Sequence, residues 1–134
     1  TRNIFEHEIG AYIGDNTKVK ITNQFYYNNS NYSFTDFYDY SNYRVGGSVI
    51  QFFTKRLYGI GGVFYQRRNY KNRFTPRRLS RQKDNLYTVT GSLIYDIRRD
   101  LSVFINYSHS ENHSNEPFDQ YVNTLYSTGL YYNF

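Results

Sequence analysis

The last fourteen residues, Tyr121-Val-Asn-Thr-Leu-Tyr-Ser-Thr-Gly-Leu-Tyr-Tyr-Asn-Phe134, alternate large apolar with small or polar side chains. A period of two is the signature of an extended strand with two chemically different faces. Tyr126, Leu130, Tyr132 and Phe134 fall on one face with Thr124 and Thr128, and Asn123, Ser127, Gly129 and Asn133 fall on the other. The same sorting recurs upstream. Val19, Ile21, Phe25 and Tyr27 oppose Lys18, Lys20, Thr22 and Gln24. Tyr87, Val89, Leu93, Tyr95 and Ile97 oppose Thr88, Thr90, Ser92 and Asp96, with Ile94 out of pattern. Leu101, Val103, Ile105 and Tyr107 oppose Ser102, Asn106 and Ser108, with Phe104 out of pattern. Ile50-Gln-Phe-Phe53 and Gly59-Ile-Gly-Gly-Val63 are less decisive, and their glycines mark bends or close packing.

Punctuation divides the chain into seven expected strands, near Phe5–Gly14, Lys18–Asn28, Asn42–Phe53, Leu57–Gln66, Leu86–Ile97, Leu101–Ser110 and Gln120–Phe134. Between them, short turns at Asp15-Asn16, Lys55-Arg56 and Arg98-Arg99-Asp100 alternate with long loops at Asn29–Ser41, Arg67–Asn85 and Glu111–Asp119. Composition agrees with an all-β chain. Tyr (17) and Phe (11) dominate, while Met, Trp and Cys are absent. Without cysteine there is no disulfide framework or thiolate chemistry. Mean hydropathy is −0.77, and no run approaches the roughly 20 apolar residues of a spanning helix. Strands that meet lipid on one face only need about 9–11 residues each, so their hydropathy stays low.

Short turns at one rim and long loops at the other, together with the C-terminal pattern, resemble a bacterial outer-membrane β-barrel. Tyr126, Thr128, Leu130, Tyr132 and Phe134 resemble the signal that the barrel-assembly machinery reads in that family. The stretch Tyr95-Asp-Ile-Arg-Arg-Asp-Leu-Ser-Val-Phe-Ile-Asn-Tyr-Ser, the polar Asn115-Glu-Pro-Phe-Asp119 and the ending Gly129-Leu-Tyr-Tyr-Asn-Phe134 are similar to the final hairpin of export barrels. These are the β-barrel porins of exopolysaccharide export and the barrels fused behind tetratricopeptide repeats. The resemblance implies an antiparallel transmembrane β-barrel, with residues 1–134 as one segment and residues 120–134 as its closing strand. Even strand numbers with both termini inside then require at least one further strand upstream, so the chain reads as part of a larger barrel. The expected location is the bacterial outer membrane, and the expected function is a transport or export channel. The runner-up is a plugged structural, adhesive or anchoring barrel of an envelope complex. A soluble lipocalin-like barrel would need an apolar interior, and neither the terminal Phe nor the sorted loops suit it.

Within that frame, Glu6, Glu8, Lys18, Lys20, Arg44 and Asp96 are candidate lumen-lining residues. The segment 67–84 holds eight of the sixteen basic residues, Arg67, Arg68, Lys71, Arg73, Arg77, Arg78, Arg81 and Lys83, and one acid, Asp84. Guanidinium groups bind phosphate bidentately, so the segment reads as an anion-binding loop facing lipopolysaccharide phosphates, an anionic cargo or an acidic partner. A merely solvated external loop is the plain alternative. Interleaved Tyr70 and Phe74 resemble a nucleic-acid strip, but an external loop meets no nucleic acid. The expected partners are outer-membrane lipid and lipopolysaccharide, the barrel-assembly machinery and other envelope subunits. His7, His109 and His113 are scattered, no phosphate loop or nucleophile elbow occurs, and no enzymatic chemistry, cofactor or metal is expected.

Overall fold

Two apolar side chains, Tyr26 and Tyr70, are the only ones buried among the described residues, because the chain forms one layer of sheet with nothing packed on it. The computed structural model describes residues 2–29, 39–75 and 80–133. Within these, seven strands lie side by side in chain order: β1 (Arg2–Ile13), β2 (Thr17–Asn28), β3 (Tyr40–Phe52), β4 (Leu57–Phe74), β5 (Arg81–Arg98), β6 (Leu101–Ser114) and β7 (Tyr121–Tyr132). Every neighbouring pair is antiparallel. Among the described residues β1 and β7 share no ladder, so the sheet is open and both edges are unpaired.

The short connections are built by local chemistry. Gly14 takes φ 64°, the left-handed region that suits a residue without Cβ, and reverses the chain between β1 and β2. Before β4, the Thr54 hydroxyl accepts the backbone N–H of Arg56 and of Leu57, which ties down that turn. After β5, Arg98 pairs with Asp100 at 2.8 Å.

The register carries one face through the whole sheet. Ile9 pairs with Ile21, Val63 with Val89, Leu93 with Ile105 and Ile105 with Thr128, all on the same side. That side is apolar and bare: Ile9 is 73% exposed, Val63 58%, Ile105 59% and Leu130 66%. Along its upper margin Phe5, Phe25 and Tyr43 stand in register, followed by Tyr65 and Tyr87. The opposite face presents the even-numbered residues of β1 to β6, except beyond the register shifts after Asn69 and Asp96, and Tyr121, Asn123, Ser127 and Gly129 of β7.

The central hairpin differs from expectation. The segment Arg67–Asn85 reads as a loop in the sequence, yet β4 runs to Phe74 and β5 begins at Arg81, eighteen residues each. Its residues are polar on both faces and lack apolar alternation, but the ladder continues, and polar groups of the extension bond to Asp119 and Asn115 of the following connection. Thr75 N–H bonds Ser80 O at 2.9 Å at the far end of the hairpin. Likewise β6 continues to Ser114, beyond the expected Ser110, and a 3₁₀ turn at Pro117–Asp119 leads back into β7. The expected loop Asn29–Ser41 falls mostly outside the described residues, and so does Phe134.

Candidate functional site

The polar face is divided into three zones. On β1 to β3 the register sets Glu6, Gln24, Arg44 and Gln66 in one row and Glu8 beside Thr22 in the next. The Lys20 ammonium meets Glu8 at 2.6 Å and the Gln24 amide donates to Glu6 at 3.2 Å. Arg44 lies 4.6 Å over the Phe64 ring. These residues surround an open hollow of ≈ 230 Å³ bounded by Glu6, Glu8, Lys20 and Arg44. Lys18 stands apart over the Tyr12 ring at 5.6 Å. Four of the six residues expected on one wet face, Glu6, Glu8, Lys20 and Arg44, are therefore neighbours on β1 to β3, and Lys18 shares their face nearer the short-turn rim. Asp96 shares that face but lies on β5, accepting the Ser102 hydroxyl at 2.7 Å.

The second zone, toward the short-turn rim, is unexpectedly apolar. Ile94 and Phe104, the two residues out of pattern, face each other across β5 and β6. Phe104 packs on Tyr131 with ring centroids 4.6 Å apart, and Phe52 on Tyr58 at 5.6 Å. The exceptions in the alternation are thus one cross-strand cluster.

At the opposite rim the polar face closes into a buried network. Asp39, Asn42, Thr75 and Gln82 are each no more than 2% exposed. The Arg73 guanidinium and the Gln82 amide both donate to Asp119 Oδ2 at 2.7 Å, and Gln82 also donates to Asp84 at 3.0 Å. Asn112 holds the Asp119 carbonyl at 2.6 Å, so the 3₁₀ turn is fastened to β4, β5 and β6. Tyr40 stacks between Tyr26 and Tyr70, with centroids at 6.0 and 5.4 Å, and Arg68 lies 5.7 Å from the Tyr40 ring. With its amide oxygen turned toward Arg68, Gln66 accepts Nε at 2.8 Å and Nη2 at 3.0 Å. Burial pushes the Tyr40 and Tyr70 hydroxyls above the usual tyrosine range, and Asp84 adds to the rise at Tyr70. Loss of water opposes the charge on Arg68, but the oxygens of Tyr40, Tyr70 and Tyr26 outweigh it and raise its pKa. Nothing in the sequence marks this network beyond the recurrence of polar residues at alternate positions.

The basic segment is not a single loop. Arg67, Arg68, Lys71 and Arg73 belong to β4 and Arg81 and Lys83 to β5, while Arg77 and Arg78 lie outside the described residues. Alternation in the extended hairpin, offset by the register shift between Asn69 and Phe74, sends them to different faces: Arg68 and Arg73 join the rim network, and Arg67 and Lys83 face the side that carries the apolar band. Of the C-terminal residues singled out, Tyr126, Thr128, Leu130 and Tyr132 share the apolar face of β7, an unpaired edge. His109 contacts Thr124 at 2.8 Å and His113 pairs with Glu111 at 3.0 Å. Among the described residues no group of three or more His, Asp or Glu is arranged to hold a metal.

Comparison with protein-family models, curated proteins and solved structures gives no match.

Proposed function

We propose that the chain is a segment of a transmembrane β-barrel in a bacterial outer membrane, serving as part of a transport or export channel without enzymatic chemistry. The carrying observation is the continuous bare apolar face, set by register across all seven strands, with charged and hydroxylic side chains behind it. A sheet one layer thick has no core of its own, and its apolar face is stable only under an apolar cover. On β5 the apolar band runs from Tyr87 to Ile97, about 33 Å along the strand at ~3.3 Å per residue, or about 25 Å tall at a tilt near 40°. That height suits a bilayer's hydrocarbon layer, and the aromatic margin suits its interface.

β1 and β7 run in the same direction, being separated by six antiparallel pairings. Joining them directly would make a parallel seam, so an antiparallel barrel closes only through an odd number of additional strands. In the closed ladder every backbone group is satisfied within lipid. The row Glu6, Glu8, Lys20 and Arg44 then sets the charge of the lumen wall.

The fastened rim network of Arg73, Gln82 and Asp119 favours a second reading, a barrel whose lumen is obstructed and whose role is anchoring. Planar-bilayer conductance of the whole native polypeptide separates the two. Steady ion flux supports the channel. A folded, membrane-inserted and silent barrel supports the anchor, and failure to insert contradicts both.

A further inference from the structure

Above the apolar band, on the same face, the central hairpin opens a cleft. Between the pairs Asn69–Lys83 and Phe74–Arg81, β4 carries three residues more than β5, a bulge that breaks the ladder and re-aims side chains. The resulting cleft of ≈ 610 Å³ is lined by Lys71, Arg81 and Lys83 together with Ser41, Asn69 and Asn115. Among the described residues no Asp or Glu lines it, and none of the three cations is ion-paired to a carboxylate.

Further along the same strands and on the same face, beyond Tyr43 and Tyr65, is a groove of ≈ 470 Å³ bounded by Ile21, Val49, Val63 and Val89 and floored by Gly47 and Gly61. Internal packing does not demand glycine at either floor position. A Cβ at Gly47 would come no nearer than 3.7 Å to the Lys20 carbonyl, and one at Gly61 no nearer than 3.6 Å to Val49, both ordinary contacts. The floor is low because the side chains are absent, which leaves a trough in the apolar surface. On β3, Ser41 and Gly47 are six residues apart, about 20 Å along the strand and about 15 Å in height at a 40° tilt, the depth of one leaflet.

We infer that the cleft and groove together bind one phosphorylated membrane lipid, with its phosphates among Lys71, Arg81 and Lys83 and an acyl chain in the glycine-floored trough. Arg81 supplies a planar fork for two phosphate oxygens and the lysines supply point charges. Positive charge one leaflet's depth above an apolar trough matches a lipid rather than a free anion, since a free anion has no use for the trough. The inference rests on the membrane-barrel reading.

Native mass spectrometry of the full polypeptide in detergent tests it, with lipid A as probe against dephosphorylated lipid A of the same chains and against inorganic phosphate. Lipid A adducts are expected, and they fall on the order of 100-fold in the triple variant Lys71→Gln, Arg81→Gln, Lys83→Gln. Gly47→Leu, which fills the trough and keeps all three cations, is expected to weaken lipid A retention as well. Equal retention by wild type and triple variant overturns the inference. So does displacement of the lipid by millimolar inorganic phosphate, which would mark a free-anion site. Flotation with lipid vesicles keeps the two proposals apart: a protein that floats without selecting lipid A defeats the lipid site alone, whereas one that does not float defeats the barrel.

Discussion

The Phe64 ring on β4 fills the space that a β-carbon would need at Gly46, its cross-strand partner on β3. Glycine there lets the ring lie flat across the strand, and the Arg44 guanidinium covers it at 4.6 Å. Phe104 lies over Gly129 on β7 in the same way. Gly91 is different: nothing lies within 4 Å of where its Cβ would be. Gly46→Ala is therefore expected to cost about 1–3 kcal/mol by overpacking. Gly91→Ala is expected to gain about 0.5–1 kcal/mol by restricting the unfolded chain. Urea unfolding of the detergent-folded protein checks the opposite signs.

Asp119 joins the 3₁₀ turn to the central hairpin through Arg73 and Gln82. Asp119→Ala removes one bond from Arg73 and one from fully buried Gln82, whose amide keeps Asp84, and is expected to cost about 1–3 kcal/mol. The loss should be local. Hydrogen exchange is expected to speed up at residues 115–120 and at the outer ends of β4 and β5, with the amides of β6 near Ile105 unchanged.

Tyr40 and Tyr70 have raised pKa values because burial penalises their ionised forms, so folding favours the protonated hydroxyls. The resulting stability is complete below about pH 10, the ordinary tyrosine value, and is lost as pH rises through the raised folded values. Ultraviolet titration of tyrosinate should show these two ionising after the exposed tyrosines, with loosening of the rim above that point. Tyr70→Phe removes one late-ionising group from the curve.

How much of this was legible in the sequence depended on where apolar alternation existed. Val19 to Tyr27 and Leu101 to Tyr107 declared their strands and faces, because a period of two in hydrophobicity is itself a strand signal. Arg67 to Phe74 and Arg81 to Asn85 carry none, so a run of polar residues looked like a loop although Arg73, Gln82 and Asp84 are held in an extended hairpin. The glycines of β3 and β4 were ambiguous because one face packs under Phe64 while the other leaves a trough, and neither cause is local in sequence. Of the expected site residues, Glu6, Glu8, Lys20 and Arg44 come together since they alternate on adjacent strands. The basic residues disperse by the same alternation.

Truncation at the C-terminus addresses assembly. Removal of Phe134, or Leu130→Ser on the apolar face of β7, is expected to lower the amount of folded protein reaching the outer membrane severalfold. Quantitative blotting of membrane fractions measures this, and normal levels for the Phe134 deletion would remove the assembly-signal assignment.

On the proposed membrane-barrel reading, one face of the sheet meets lipid and the other does not. Ile105 and Asn106 are adjacent on β6 and face opposite ways, with Ile105 opposite Leu93 and Thr128 and Asn106 opposite Ser92 and Ser127. The decisive measurement is the unfolding free energy of Ile105→Arg and Asn106→Arg in lipid vesicles. An arginine at mid-band on the lipid side is expected to cost about 2–4 kcal/mol, while one on the lumen side stays within about 1 kcal/mol of wild type. Equal costs, or a larger cost at Asn106, would contradict the assignment of the faces.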